Sequence, residues 1–256
     1  CLRVNPDVDA KTHEKISTGR SEDKFGISEK KVFEIFKKYK SNKFLKIKGL
    51  SIHIGSQIVL LKPFYKAFQK IKLQILKLKK EGFDVSSLDL GGGVGIKYND
   101  KNKILDIKSY AQVIDELFSD LDLEIIIEPG RYLVGSSGII LSRVIRTKSG
   151  DNKDFVIIDA GMDNLIRPAL YGAEHKIIPV KKKKQTNLKS YDIVGPICET
   201  SDVFIKKMKI HRLNSDDLVV ICSTGAYSSC MASQYNLRKP AKEIFIKKRK
   251  FILSNN

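Results

Sequence analysis

Residues 88–93 read LDLGGG and residues 123–131 read LEIIIEPGR, so that each stretch joins a short apolar strand to a turn. Residues 45–57 repeat this order, with an alternating strand that runs into Gly55-Ser56-Gln57. Apolar strands of this kind are typical of buried parallel sheets. Polar and glycine-rich turns at the carboxyl ends of parallel strands form the catalytic face of a (β/α)8 barrel.

Segments with helical spacing lie between these strands. Apolar residues recur at helical intervals over residues 63–78, around residues 110–117, and from Ser28 to Tyr39. Pro63 suits a first helical turn, and Leu2-Arg3-Val4 adds a strand at the start. Strand and helix therefore alternate over residues 1–137, whereas a complete barrel takes about 250 residues. We expect half a barrel.

The pattern changes after residue 138. Short apolar segments follow at residues 139–145, 155–158, 191–194 and 218–222, separated by turn residues and without helical periodicity. The predicted fold class is α/β plus β. The C-terminal half of a (β/α)8 TIM barrel occupies residues 1–137, and a β-rich, β-barrel-like domain occupies residues 138–256.

The composition fits a cytoplasmic globular protein. The chain has 256 residues and no apolar run that could span a membrane, and from its polar first 20 residues we expect no signal peptide. Its four cysteines fit no disulfide framework or metal site. The net charge of +18 comes mostly from scattered lysines, with one run at Lys181–Lys184, which we place in a solvated loop. A nucleic-acid-binding module is the alternative, although no known recognition motif supports it.

Five groups of side chains could carry chemistry. A glycine loop after a strand can bind phosphate, and a carboxylate and a guanidinium at a barrel mouth can bind a heteroaromatic N–H⁺ and an acid group. Taken singly, such groups are also typical of tight turns, strand-end salt bridges, core histidines, buried cysteines and surface packing. The groups are Gly91-Gly92-Gly93, Glu128-Pro129-Gly130-Arg131, His53 to Gln57, Gly195 to Glu199, and Arg167 to Tyr171.

Taken in order, these groups resemble the diaminopimelate decarboxylases, which belong to the alanine-racemase-like pyridoxal-phosphate enzymes. The resemblance runs nearly end to end and rests on eight blocks in family order. The blocks are Arg3 to Pro6, Lys24 to Ile27, His53 to Gln57, Gly91 to Gly93, Glu128 to Arg131, Arg167 to Tyr171 with His175, Gly195 to Glu199 with Asp202, and Gly225 to Tyr227.

The resemblance implies a site for pyridoxal 5'-phosphate. His53 would lie against the cofactor ring, Glu128 would pair with the pyridine nitrogen, and the glycine loop would hold the phosphate. The positions that match cofactor-binding residues are His53, Ser56, Gly91, Gly92, Gly93, Glu128, Pro129, Gly130, Arg131 and Tyr227.

The resemblance also implies the substrate, meso-diaminopimelate, and the reaction, its decarboxylation. Cys198 would donate the proton that replaces CO₂, and this segment would reach the active site of a partner subunit in a homodimer with shared sites. The positions that match substrate-binding residues are Arg131, Arg167, Tyr171, Glu199 and Tyr227. Other basic amino acids, such as ornithine, arginine and lysine, remain alternative substrates.

The sequence departs from the family pattern at one position. The family binds its cofactor covalently through a lysine on the first barrel strand, and no segment here has that context. We therefore expect a C-terminal fragment that begins near the fifth barrel strand and is incomplete by itself. The chain could be part of a longer protein, a separate N-terminal polypeptide could complete the barrel, or the gene could be decaying and its product inactive. The non-enzyme alternative is a cofactor-binding or scaffolding relic. We also expect the open strand edges to make the isolated chain poorly soluble.

Overall fold

The computed structural model describes residues 1–10, 12–20, 22–100, 103–181 and 188–253. The chain forms two compact units. We call Cys1–Lys97 with Lys101–Leu133 the barrel unit, and Tyr98–Asp100 with Val134–Asn256 the sheet unit. The domain limits expected from the sequence, 1–137 and 138–256, stay a prediction.

The barrel unit is built on four parallel strands in the order β1-β2-β3-β4. This arrangement confirms the half-barrel expected from the alternation of strand and helix. The strands are β1 (Leu2–Arg3), β2 (Gly49–Ser51), β3 (Ser87–Asp89) and β4 (Glu124–Ile126), and the helices are α1 (Glu29–Tyr39), α2 (Leu61–Lys80), α3 (Ile107–Phe118) and α4 (Gly130–Val134).

Helix α2 buries the apolar face that its spacing predicts. Phe64 and Phe68 lie fully within the core of this unit, and both contact the ring of Tyr110 on α3. Helix α3 begins at a capping residue, since the carboxylate of Asp106 accepts from the backbone N–H groups of Lys108 and Ser109. The helices therefore cover the sheet with interlocking aromatic side chains.

Strand β4 is more exposed than its apolar sequence predicts. Ile126 is 38% exposed and Ile127, which follows the strand, is 49% exposed. In the sheet of the described residues, β4 pairs only with β3, so one of its edges has no neighbouring strand. The prediction of a fully buried parallel strand was wrong here, because burial needs cover on both faces of the sheet and the exposed isoleucines lack it.

The sheet unit contains a six-stranded sheet with the order β7-β10-β5-β6-β8-β9, beside a separate hairpin of β11 and β12. The β-rich second half expected from the sequence is confirmed. The elements are β5 (Ile140–Ser149), β6 (Asp154–Ile158), α5 (Arg167–Tyr171), β7 (Ile177–Pro179), β8 (Lys189–Val194), β9 (Val203–Ile210), β10 (Leu218–Ile221), β11 (Ile244–Lys247) and β12 (Lys250–Leu253).

Strand β9 was not predicted, and the reason is a break in its alternation. Its sequence, VFIKKMKI, mixes apolar and lysine residues without a clean period of two. In the structure Lys207 has a left-handed φ of 54° and donates its N–H to Asp192 at 2.8 Å, where the register with β8 shifts. Such a bulge inserts an extra residue, so the alternation of side chains between the two faces of the sheet is shifted from one side of the bulge to the other.

No helix among the described residues is both long enough and apolar enough to cross a membrane. The lysine run lies mostly outside the described residues, which include Lys181 but not the three lysines after it.

The open edge of β4 predicts the solution behaviour of the isolated chain. Open apolar edges pair with other chains, and a charge on the edge opposes that pairing. Ile127→Lys should therefore raise the soluble fraction on expression, measured by sedimentation of lysates. Leu73→Lys replaces an exposed leucine on α2 instead and should have no such effect. Equal solubility of the two variants would contradict the role of the edge.

Candidate active site

The carboxyl ends of β2, β3 and β4 meet around Gly92. Its N–H donates to Nδ1 of His53 at 3.2 Å, so a neutral imidazole carries its proton on Nε2. Burial, with the charge of Arg3 as a second cause, lowers the pKa of His53. The hydroxyl of Thr18 fixes the same residue by donating to its carbonyl oxygen at 2.8 Å. His53 is therefore held as a neutral ring at the strand end.

The three glycines are required by close backbone contacts. A Cβ on Gly92 would lie 2.1 Å from the carbonyl oxygen of Glu128, and one on Gly93 would lie 2.1 Å from that of Gly55. Gly91 and Gly93 also have positive φ angles of 67° and 96°. The carbonyl of Gly91 accepts from the N–H of Glu128 at 2.8 Å. Through these contacts the glycine loop holds the carboxyl ends of β2, β3 and β4 together.

The loop that carries Ser56 is fixed next to the glycine loop. The side-chain amide of Gln57 makes two hydrogen bonds to the backbone of Ile96. It donates to the carbonyl oxygen of Ile96 at 2.7 Å and accepts from the N–H of Ile96 at 3.1 Å. Gln57 itself has a left-handed φ of 61°. The sequence analysis gave Gln57 no role, because a pair of hydrogen bonds to a residue 39 positions away leaves no pattern in the neighbouring sequence.

Glu128 and Arg131 follow β4. Glu128 is exposed, and its carbonyl accepts from the N–H of Gly130 at 2.9 Å as α4 begins. Arg131, one turn further, is buried. One end of the barrel unit therefore carries an exposed carboxylate, an imidazole, a guanidinium and glycine backbone. These groups match the chemistry of a pyridine N–H⁺, an aromatic ring and a phosphate. The residues present therefore fit pyridoxal phosphate.

The sheet unit carries the remaining predicted site residues. Arg167 begins α5 and is buried, with its Nη1 2.7 Å from Nε2 of His175. Tyr171 ends the same helix and is half-buried. Gly172 then takes a left-handed φ of 60°, which ends the helix.

Asp202 holds the loop that contains Cys198 and Glu199. Its two carboxylate oxygens accept from the N–H groups of Ile197 and Met162, each at 2.8 Å. Burial raises the pKa of Asp202, and these two donors act in the opposite direction. A Cβ on Gly195 would lie 2.3 Å from the same carboxylate, so glycine is required there. The Cys198 side chain stays exposed on this loop.

Glu199 is held as a carboxylate by two hydroxyl groups. Tyr235 donates to its Oε1 at 2.6 Å and Ser201 donates to its Oε2 at 2.8 Å. These bonds, with that from Tyr235 as the larger cause, lower the pKa of Glu199. Sequence reasoning did not find Tyr235, because the two residues are 36 positions apart.

Tyr227 has an unusual backbone conformation. Its φ of 58° is left-handed, which is uncommon for an aromatic residue and clusters at functional sites. Gly225, two residues earlier, donates its N–H to the carbonyl of Gly135 at 3.1 Å, and a Cβ there would lie 2.0 Å from the carbonyl oxygen of Val134. The turn that presents Tyr227 is therefore fixed.

Gly92→Ala tests the junction of the three strands. The added methyl group would collide with the Glu128 carbonyl, so we expect a loss of near-ultraviolet circular dichroism and a large fall in affinity for pyridoxal phosphate. Gly130→Ala, whose Cβ meets nothing within 4 Å, is the control for the circular dichroism alone, because Gly130 belongs to the expected cofactor site. A Gly92→Ala spectrum identical to that of the parent would refute the junction.

Tyr235→Phe should raise the pKa of Glu199 towards its ordinary value, because the variant removes the donor that lowers this pKa most. Ser201→Ala should raise it less, since the serine bond is the second cause. Carbon-13 NMR titration of the labelled carboxylate measures both. If the titration of Glu199 does not change in Tyr235→Phe, the two side chains are not in contact in solution.

Comparison with known proteins shows the family of this chain. The family model described as "Pyridoxal-dependent decarboxylase, pyridoxal binding domain" matches residues 1–135. The chain is 42% identical over 253 residues to a diaminopimelate decarboxylase of Zymomonas mobilis subsp. mobilis, covering 98% of this chain and 60% of that protein. It is 46% identical over 245 residues to one of Neisseria meningitidis serogroup A, covering 96% and 60% respectively.

A solved structure of diaminopimelate decarboxylase from Helicobacter pylori, complexed with L-lysine, is also similar. It has a TM-score of 0.93 and 41% identity, covering 98% of this chain and 62% of that one. This chain thus spans about three fifths of the length of the relatives it matches. Fold, motif order and family match agree: the chain belongs to the pyridoxal-dependent decarboxylase family and, within it, is similar to the diaminopimelate decarboxylases.

Proposed function

We propose that this chain forms part of an enzyme that decarboxylates meso-2,6-diaminopimelate to L-lysine and CO₂. The observation that carries the proposal is the pair of consecutive residues Cys198 and Glu199, an exposed thiol beside a carboxylate that is fixed by hydrogen bonds from Tyr235 and Ser201. A proton donor next to a fixed anion suits an amino acid that has a second ammonium group. The identity of 42–46% to relatives named for this activity supports the same substrate.

The proposed substrate has two carboxylates and two ammonium groups, so its site needs both signs of charge. Glu199 would bind the distal ammonium. Arg131 and Arg167 would bind carboxylate, because a guanidinium matches its two oxygens with parallel N–H groups. Tyr171 and Tyr227 complete the proposed substrate-binding set.

Pyridoxal phosphate, when bound, supplies a sink for the electron pair that remains after CO₂ leaves. Glu128 would hold a proton at the pyridine nitrogen, and the neutral ring of His53 would lie against the cofactor. The phosphate would be bound by Ser56, by Gly91–Gly93, and by the backbone N–H groups of Gly130 and Arg131, with Pro129 and Tyr227 close by. This assignment is supported by the position of these residues directly after the carboxyl ends of β2, β3 and β4.

Cys198 would donate the proton from its Sγ to the substrate Cα after CO₂ leaves. Its exposure supports a role at a site that two subunits share, since a buried thiol could not reach another chain. The proposed working unit is therefore a homodimer. The proposed location is the cytoplasm, where the four cysteines, all of them free, stay reduced.

The proposed enzyme also needs the lysine that the family uses to bind its cofactor. We propose that a segment with this lysine completes the barrel along the open edges of β1 and β4. That segment could be a separate polypeptide or part of a longer chain. The alternatives are a decarboxylase of another basic amino acid, and an inactive relic or basic binding module.

Completion of the chain tests the proposal. Fusion to the unmatched part of the Helicobacter pylori relative should yield an enzyme that releases CO₂ from meso-diaminopimelate faster than from ornithine, arginine or lysine. Cys198→Ala should lower kcat by about a hundredfold or more, as loss of a positioned proton donor does. Cys230→Ala removes another exposed thiol and should not change kcat. Faster turnover of ornithine, arginine or lysine would reject the proposed substrate.

Borohydride trapping tests whether the chain alone is enough. The chain is mixed with pyridoxal phosphate and reduced, and the modified lysines are mapped by mass spectrometry. We expect scattered labelling well below one equivalent, because none of its lysines matches the cofactor lysine. One dominant, stoichiometric adduct would show that a lysine within this chain takes that role.

A further inference from the structure

Arg167 is enclosed by two aromatic residues. The Arg167 side chain is 4% exposed and that of His175 is 1% exposed. The guanidinium carbon lies 4.3 Å from the ring centroid of Tyr98, and Nη1 lies 2.7 Å from Nε2 of His175. The rings of Tyr98 and His175 meet edge to face at 4.7 Å. The three side chains therefore form one buried cluster within the sheet unit.

The hydrogen bonds of His175 identify its tautomer. Its Nδ1 lies 2.9 Å from the carbonyl oxygen of Cys222, which can only accept, so Nδ1 carries the proton. Its Nε2 faces a guanidinium, which can only donate, so Nε2 carries the lone pair. His175 is therefore a neutral imidazole that accepts one in-plane bond from Arg167. An imidazolium would put two N–H groups against each other.

A backbone hydrogen bond holds Tyr98 in place. Its carbonyl accepts from the N–H of Lys176 at 2.9 Å, and Nζ of Lys176 binds the carboxylate of Asp100 at 2.7 Å. These bonds join residues 98–100 to the residue that follows His175. Tyr98 also comes five positions after Gly93, so one short stretch of chain carries both the glycine loop and the ring against Arg167.

We propose that His175 and Tyr98 are positioning residues that fix the guanidinium of Arg167 to receive a carboxylate of the substrate. The inference rests on the proposed function and adds two residues to it. The hydrogen bond from Nη1 to His175 prevents the guanidinium of Arg167 from rotating within its own plane. The ring of Tyr98, which lies against the guanidinium, fixes the orientation of that plane. A guanidinium held in this way gives up less conformational freedom when it binds a carboxylate in two-point fashion.

The first test measures the cluster itself. The fusion enzyme is labelled with nitrogen-15 in histidine, of which this chain has four. Long-range proton–nitrogen spectra at neutral pH should show His175 as the Nδ1–H tautomer, assigned by its loss in His175→Gln. An Nε2–H tautomer or an imidazolium would overturn the inference, whatever the enzyme acts on.

The second test compares two amides at position 175. Gln can place its carbonyl oxygen near the site of Nε2 and accept from Arg167, whereas Asn can donate only near the site of Nδ1. We expect His175→Asn to raise KM by about tenfold or more, which is the effect of losing one hydrogen bond to a charged group. His175→Gln should stay within about threefold of the parent, with kcat little changed in both. Equal KM values in the two variants, or an effect on kcat alone, would overturn the role of His175.

A pair at position 98 gives an independent result if the histidine variants fold poorly. Tyr98→Phe keeps the ring against Arg167 and should keep KM, whereas Tyr98→Leu should raise it by about threefold or more. Equal KM values for Phe and Leu would overturn the role of Tyr98. If the parent fusion acts on another amino acid, the proposed substrate fails, and the same four variants then test the cluster with that amino acid.

Discussion

The junction at Gly92 is the constraint on which the barrel unit depends. Here the backbone of one strand end lies against the Glu128 carbonyl and donates to the ring of His53. A methyl group at this position would separate the strand ends, and with them the carboxylate and the imidazole. The glycines are therefore explained first by backbone packing. A binding role for phosphate requires that packing, because it is what brings the loop to the carboxyl end of the sheet.

The sheet unit positions its functional groups by a different means. Its loops are held by buried polar side chains, as when Asp202 accepts from the backbone of two separate segments. The carboxylate of Glu199, for which we propose a role in substrate binding, is in turn bound by Tyr235, and the guanidinium of Arg167 by His175. A charged group that is bound in this way before substrate arrives needs little rearrangement to act, which favours both binding and catalysis.

Much of the fold could be predicted from the sequence. Helices α1, α2 and α3 and the strands between them follow from apolar spacing, because each element buries one face against the sheet. Strand β9 could not be predicted, since the bulge at Lys207 breaks the period that identifies a strand. The exposure of Ile127 also depends on what covers this end of the sheet, and its own segment carries no information about that.

The sequence by itself determined the alternation of strand and helix in the barrel unit, the need for glycine after β3 and the family to which the chain belongs. These are local properties, because periodicity, turn residues and motif order can all be read from the linear sequence. The tertiary structure alone decided that His53 faces Gly92, that Glu199 is bonded to Tyr235 and that His175 carries its proton on Nδ1. Each of those depends on a partner tens of residues away, such as Tyr235 for Glu199 or the Cys222 carbonyl for His175. Protonation and orientation are set by neighbours in space, and only folding brings those neighbours together.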